Sequence, residues 1–311
     1  MQAMLFDVHR GTTHDGPGMR TTLFLKGCPL RCAWCHNPES LHYAPDLSWQ
    51  QSKCIGCRLC VKNAKDNAII DTPAGIKIMD REKCKKDFGC VNVCPSKAFT
   101  KVGEEKTIEE LKKIALKDQL YFETFSGGVT ISGGEPLFQI DAVEELLKQL
   151  HAEKINTAID TCGHVPYSSF ERVLPYVNNI LFDVKIMDNA MHKKWTGVSN
   201  TLILENLAKL ANQMNENQQL WIRTPLIPSA TASKENIEEI CKFIKDFKVL
   251  KRYELCAFNN ICKEKYKKLG MTWYFENTPL MMQEEAESYF EIVKRYVGDR
   301  AVLSGLTAKK E

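Results

Sequence analysis

An α/β fold on a mainly parallel, open sheet is what this sequence predicts, and three observations point to it. From residue 107 onward strand and helix signals alternate, the pattern of βαβ units around a parallel sheet. About six repeats are visible, fewer than the eight of a closed barrel, so a partial barrel is expected. Glycines, carboxylates and cysteines fall just past strand ends, where such folds place their chemistry.

Residues 21–27, TTLFLKG, read as a short buried strand running into a cysteine loop. Residues from about 50 to 103 lack long periodic patterns and are rich in Cys, Lys and Gly. Thr107-x-x-Glu110 is a capping box opening a helix with Ile108, Leu111, Ile114 and Ala115 on one face. The strand Val129–Ser132 ends in Gly133-Gly134. Asp141-x-x-Glu144 opens the next helix, with Val143, Leu146, Leu147 and Leu150 at helical spacing. Further strands are expected at 156–161, 180–185, 220–224 and 253–258. Helices are expected around 168–174, 200–213, 234–247 and 283–297, and a terminal strand near 301–303. The expected division is residues 1–49 and 104–311 as the barrel, with 50–103 inserted.

The chain has 311 residues, a hydrophobic fraction of 44% and a net charge of +3. That charge is too near neutral to make nucleic acid or an anionic membrane the main partner. No apolar run approaches membrane-spanning length, and the N-terminus carries charges without an apolar secretory core. Thirteen cysteines without an export signal point to metal, not disulfides, in a reducing, anaerobic cytoplasmic setting.

Cys28-x-x-x-Cys32-x-x-Cys35 supplies three thiolates on one tight loop. Thiolates are the usual protein ligands of iron–sulfur clusters. A cubane [4Fe–4S] cluster held by three leaves one iron open to a substrate or cofactor. The competing reading is a structural zinc loop, which normally requires four closed ligands.

A second cysteine zone reads Cys54-x-x-Cys57-x-x-Cys60-x-x-x-Ala64, then Cys84-x-x-Asp87-x-x-Cys90-x-x-x-Cys94-Pro95. In two-cluster ferredoxins the fourth cysteine of each run ligates the other run's cluster. Crossing the ligands that way gives one complete auxiliary [4Fe–4S] site, Cys54, Cys57, Cys60 and Cys94. The other site keeps Cys84, Asp87 and Cys90, with Ala64 where its fourth ligand should be. Two clusters are therefore expected in the chain, and the third site is left open between a trimmed cluster and none.

Taken together the chain resembles a glycyl radical enzyme activating enzyme of the radical S-adenosylmethionine (SAM) superfamily. The residues carrying the likeness are Cys28-Pro-Leu-Arg-Cys32-Ala-Trp-Cys35-His-Asn-Pro-Glu39, the preceding Asp15-Gly-Pro-Gly-x-Arg20, and Ser132-Gly-Gly-Glu-Pro136. Asp160-Thr-Cys-Gly163 and Asp183-Val-Lys185 continue it. The resemblance spans nearly the whole chain. It implies a partial (β/α)6 radical SAM barrel with an inserted ferredoxin-like iron–sulfur domain. It also implies SAM on the open iron, and reductive cleavage to a 5′-deoxyadenosyl radical that takes hydrogen from a glycine of a partner enzyme. A flavodoxin- or ferredoxin-type protein is the expected electron donor.

The resemblance further assigns Trp34, Gly133, Gly134, Glu135, Asp160, Lys185, Arg223 and Asn259 to SAM. Asp160, Thr161, Leu181 and Asp183 are assigned to a monovalent cation, and Asp15 and Arg20 to the partner's glycine loop. Asn259 stands where many relatives carry a histidine. Read without the resemblance, Asp183 and Lys185 are an ordinary solvated ion pair, and Cys162, Cys241, Cys256 and Cys262 are packing thiols. Two rival functions compete: a radical SAM enzyme acting on a small molecule, and a plain electron carrier. The open three-cysteine loop disfavours the carrier.

Overall fold

The computed structural model describes residues 1–309. The chain opens with β1 (Gln2–Thr12), which turns through a Gly-Pro-Gly loop into β2 (Arg20–Leu25). Every residue of β2 is buried, as expected of a strand covered on both faces. A small unit follows the cysteine loop: β3 (Asp46–Trp49), α1 (Leu59–Asn63), β4 (Ile69–Thr72), β5 (Gly75–Ile78), α2 (Arg81–Lys85), α3 (Gly89–Asn92) and β6 (Phe99–Val102). β3 pairs antiparallel with β6, and β4 with β5. This unit has its own core around Leu47, Ile69, Ile76 and Phe99, to which Cys60, Cys84 and Cys90 belong.

β7 (Glu104–Thr107) leads into α4 (Ile108–Ala115) and α5 (Gln119–Thr124). The capping box is formed: Glu110 N donates to Thr107 Oγ1 at 3.2 Å, and Thr107 N to Glu110 Oε2 at 2.8 Å. β8 (Gly128–Gly133), α6 (Ile140–Ala152), β9 (Thr157–Thr161), α7 (Tyr167–Val173) and β10 (Asn179–Asp183) alternate as expected. So do α8 (Asn189–Thr196), α9 (Thr201–Gln213), β11 (Gln219–Leu226), α10 (Lys234–Ile244) and β12 (Leu250–Ala257). α11 (Lys263–Leu269), α12 (Gln283–Val297) and β13 (Ala301–Ser304) complete the chain.

The main sheet has nine strands in the order β13-β12-β11-β10-β9-β8-β2-β1-β7. Seven of them, β2 and β8 to β13, run parallel, joined by six crossovers. β1 is antiparallel to both neighbours. The sheet is open, with β13 at one end and β7 at the other. Ile180 and Phe182 of β10 join the large core, whereas Leu181 between them meets Ala158 and Trp221 on the opposite face. That second face carries Asp160, Asp183 and Arg223 two residues farther along each strand, by the period of two.

Two local expectations differ. α6 begins at Ile140, one residue before Asp141, because a 3-10 turn over Pro136–Gln139 feeds into it. Asp141 instead pairs with Arg172 at 2.7 Å. α10 stops at Ile244, and Phe247 packs on the core from beyond its end. Among the described residues no helix is long and apolar enough to cross a membrane.

Candidate active site

A cavity of about 410 Å³ opens at the carboxyl ends of the parallel strands. That is within the range of small-molecule and cofactor sites. Cys28, Cys32 and Cys35 line one wall. The loop that carries them is bound on both sides. Gly27 N donates to Ser40 O at 2.7 Å, Arg31 N to Thr196 O at 2.7 Å, and Ala33 N to Trp195 O at 3.0 Å. The hydroxyl of Tyr266 donates to Cys35 O at 2.8 Å. Trp34 is 5% exposed and also lines the cavity.

Across from the loop, Gly133 ends β8 and Gly134 follows it. Gly134 N donates to Leu25 O at 2.9 Å, and Glu135 N to Gly27 O at 2.8 Å. This approach leaves no room for side chains. A Cβ on Gly133, where φ is +123°, would sit 2.1 Å from Leu25 O; one on Gly134 would sit 2.4 Å from Gly27 O. Both glycines line the cavity.

Glu135 is placed otherwise than the resemblance implied. It is fully buried, and its carboxylate accepts from Thr161 Oγ1 at 2.8 Å, Cys162 N at 2.8 Å and Leu137 N at 3.0 Å. Burial pushes its carboxyl above the usual range. It ties the end of β8 to the end of β9 from beneath the cavity. Thr161, expected at a cation, spends its hydroxyl on that carboxylate.

Asp160 accepts from Ser132 Oγ at 2.9 Å and from Arg223 Nη1 at 3.3 Å. Burial raises its carboxyl to about 6, with Arg223 opposing. Asp183 pairs with Lys185 at 2.5 Å. Lys185 is buried rather than solvated, and Asp183 holds its ammonium charged against the cost of burial. Leu181 is fully buried beneath this charged layer, in register with Asp160. Asn259 lines the cavity beside His36, whose ring lies against the Asn259 backbone and is pushed below its ordinary pKa by burial.

Three groups stand here to which the sequence assigned no role at the site, Cys162 having been expected only to pack. Cys162 lines the cavity hydrogen-bonded to Cys28, the main influence lowering the Cys28 thiol. His36 follows Cys35 directly and is edge-on to Trp273 at 6.4 Å. Glu254, on β12, is 1% exposed and stands 3.9 Å from Arg223 Nε. Adjacency to Cys35 is a signal for His36; for Glu254 the alternation along β12 is the one available.

The loop before β2 holds another departure. Arg20 is completely buried and donates to Thr130 Oγ1 at 2.7 Å, Val129 O at 2.8 Å, Pro17 O at 3.0 Å and Asn156 Oδ1 at 3.0 Å. Its guanidinium is occupied within the chain, so it braces the Gly-Pro-Gly loop and is not presented to a partner. Asp15 is half-buried, accepting from Thr22 Oγ1 at 2.8 Å.

In the small unit, Cys54, Cys57, Cys60 and Cys94 line one shared cavity. Cys84 and Cys90 are buried and hydrogen-bonded to each other. Asp87 does not join them: it pairs with Lys65 at 2.9 Å and accepts from Gly89 N at 2.9 Å. Among the described residues no three His, Cys, Asp or Glu side chains converge on a single-ion position. A cubane spreads its ligands over separate irons.

The donor set fits the groups the motifs imply. Three thiols on a fixed loop suit a cluster. Two buried polar atoms on the cavity wall make no hydrogen bond, Arg223 Nε and Glu254 Oε2, which face each other 3.9 Å apart as a loose ion pair. One donor and one acceptor of this kind suit a polar ligand.

A sequence profile described as the Radical SAM superfamily matches residues 22–244. The chain is 38% identical to the indoleacetate decarboxylase activating enzyme of Tractidigestivibacter scatoligenes, over 89% of this chain and 90% of that one. It is 35% identical to the (2S)-3-sulfopropanediol dehydratase activating enzyme of Klebsiella oxytoca, over 96% and 95%. A radical SAM methyltransferase structure from Sphaerobacter thermophilus superposes with a TM-score of 0.52 at 12% identity, covering 99% of this chain and 74% of that one; that likeness concerns the fold alone. The chain belongs to the Radical SAM superfamily and, within it, to the glycyl radical enzyme activating enzymes.

Proposed function

We propose that the cavity at the strand ends holds a [4Fe–4S] cluster on Cys28, Cys32 and Cys35 with SAM on its open iron, in an enzyme that activates a glycyl radical enzyme. When bound and reduced, this pair supplies the chemistry: one electron breaks the S–C5′ bond, leaving methionine and a 5′-deoxyadenosyl radical that takes hydrogen from a glycine. The chain's residues position and shield. Gly133 and Gly134 keep β8 close enough to the cysteine loop for their backbone to reach the methionyl end. Asp160 and Lys185 provide opposite charges for the zwitterionic amino acid moiety. Arg223 Nε and Glu254 Oε2 offer a donor and an acceptor that have no hydrogen bond. Trp34 and Asn259 close the adenine side.

Glu135 and Thr161 act one layer below, holding two strand ends at fixed separation. A monovalent cation on Asp160, Asp183 and the backbone near Thr161 and Leu181 would offset the two carboxylates, which repel each other when uncompensated. Asp15 is the candidate contact for the partner's glycine loop, with Arg20 bracing the turn behind it.

Residues 50–103, which with β3 make up the small unit, form a ferredoxin-like insertion with one auxiliary [4Fe–4S] cluster on Cys54, Cys57, Cys60 and Cys94. Asp87 is committed to Lys65, so Cys84 and Cys90 are short of ligands, and the chain holds two clusters. A reduced flavodoxin- or ferredoxin-type protein in the cytoplasm supplies electrons. The observation that carries the proposal is the cavity wall of three cysteines facing a buried donor and acceptor whose hydrogen-bonding capacity is unfilled. Anaerobic incubation of the iron-loaded, reduced chain with SAM should release 5′-deoxyadenosine, and Cys32→Ala should abolish it. Cleavage retained in that variant would overturn the primary site.

A further inference from the structure

The chain's modest net charge conceals a strong segregation. Residues 50–103 carry 11 Lys and Arg against 5 Asp and Glu, a net +6. Since the whole chain is +3, the remaining residues sum to −3. The excess concentrates around the cavity formed by Cys54, Cys57, Cys60 and Cys94. Lys53, Arg58, Lys62, Lys77, Lys97 and Lys101 each line that cavity or lie within two residues of a lining residue, and no Asp or Glu does. Arg58 is neutralised by Asp71 at 2.7 Å. Lys53, Lys62, Lys77 and Lys97 are exposed, and among the described residues none has an ion-pair partner.

Within this basic rim the surface is apolar. Ile55 is 67% exposed and Leu59 42% exposed, and they flank Cys57, itself exposed. An apolar centre ringed by charge is the anatomy of a transient interface. Clustered charge of one sign raises the encounter rate with an oppositely charged partner by about 10- to 1,000-fold. Bare lysines are the strongly hydrated, adaptable cations suited to such encounters.

We propose that this face, centred on Ile55, Cys57 and Leu59, is the docking site of an acidic electron-transfer protein. The carrier gives up one electron on each encounter and the chain gains it at the four-cysteine site. This rests on the reading of that site as a cluster and goes beyond it, since it fixes where the donor binds and which charges select it. The acidic remainder of the molecule repels the same carrier, which directs the encounter to one end of the chain.

Stopped-flow reduction of the iron-loaded chain by a flavodoxin hydroquinone, an acidic FMN protein, tests the surface. Photoreduced 5-deazaflavin, small and uncharged at its reactive ring, serves as the reference reductant. The second-order rate with flavodoxin should fall about tenfold or more between 50 and 300 mM salt. In Lys53→Glu/Lys97→Glu it should fall by a similar factor, while deazaflavin reduction and SAM binding stay unchanged. Flavodoxin rates indifferent to salt and to charge reversal would overturn the proposal. So would a variant that keeps its flavodoxin rate but loses glycyl radical yield with deazaflavin, because the face would then bind the substrate enzyme. Duplex DNA competing as well as flavodoxin would also refute it. Iron analysis separates the two claims. About eight irons per chain with no charge effect removes the docking face and keeps the auxiliary cluster; about four irons with the full charge effect does the reverse.

Discussion

Adding one methyl group at Gly134 is the sharpest perturbation of the site. The Cβ of alanine there would lie 2.4 Å from Gly27 O, 2.8 Å from Gly27 C and 3.0 Å from Cys28 Cβ, where ordinary contact begins at 3.4 Å. Relief requires about 1 Å of movement between β8 and the root of the cysteine loop. Both sides are hydrogen-bonded backbone, Gly134 N to Leu25 O and Glu135 N to Gly27 O, so neither yields easily. Overpacking of this kind costs about 1–3 kcal/mol. The functional loss should exceed that cost, because a misplacement of about 1 Å at a reacting centre costs about 100-fold. Gly298→Ala is the control: its φ of +61° strains an alanine, yet nothing lies within 4 Å and the site is distant. Both variants should lose comparable thermal stability as iron-free protein. Gly134→Ala alone should lose about 100-fold in initial rate of 5′-deoxyadenosine formation, with iron content retained. A rate within threefold of the parent would refute the close-approach reasoning.

Lys26 is wholly buried and pairs with Asp46 at 3.0 Å, so Asp46→Asn should destabilise the chain by about 3–5 kcal/mol by leaving a buried charge uncompensated. Lys26→Met/Asp46→Leu should recover most of that in urea unfolding. Arg10 and Thr21 Oγ1 both donate to Asp118, holding its carboxyl below the usual range. A depressed carboxylate stabilises above its unfolded pKa and loses that contribution as pH falls through the folded one. The stability gap between parent and Asp118→Asn should therefore be constant above pH ~4 and shrink below it. Cys57→Ala should leave SAM binding intact, measured by equilibrium dialysis, while slowing reduction by flavodoxin more than by deazaflavin.

Periodicity made the parallel half of the molecule legible because its strands are short apolar runs between amphipathic helices; β9 to β12 and α9, α10 and α12 lie within a few residues of expectation. β1 was not legible. It is an edge-side antiparallel strand, buried at Ala3, Met4 and Leu5 and then mostly exposed, and its charged second half hides the pattern. The strands of the small unit are four residues each, too short for a period to register. Site residues recognised by motif did gather at one rim, but motif position says nothing of side-chain direction. Glu135, Thr161 and Arg20 sit where motifs placed them and turn inward, because each finds buried partners that a sequence does not display. Asp87 follows the same logic: ligand spacing put it near Cys84 and Cys90, and an exposed lysine drew it away.

The junction between the two cores is polar, and that choice has a physical consequence. Asp46 opens β3 and accepts from Lys26, at the end of β2, and from Lys85 of α2 at 2.8 Å. Arg81 of α2 donates to Leu47 O at 2.7 Å and to Lys268 O at the end of α11 at 3.2 Å. α11 in turn holds the primary loop, through Tyr266 to Cys35 O and Lys265 to Asn37 Oδ1 at 3.0 Å. Hydrogen bonds therefore run from the carbonyl of Cys35 to the helix that carries Cys84. An apolar seam would tolerate sliding, since hydrophobic contact is non-directional. Directional bonds anchored on a buried lysine do not slide, because each displacement exposes an unpaired charge to a low-dielectric interior. The spacing between the primary cysteine loop and the core that Cys60, Cys84 and Cys90 share is thereby set by groups outside both, and Asp46→Asn should loosen it along with the fold. Slower flavodoxin-driven 5′-deoxyadenosine formation in Asp46→Asn, with the deazaflavin-driven rate preserved, is the expected signature; equal loss with both reductants would mean that the junction acts on stability alone.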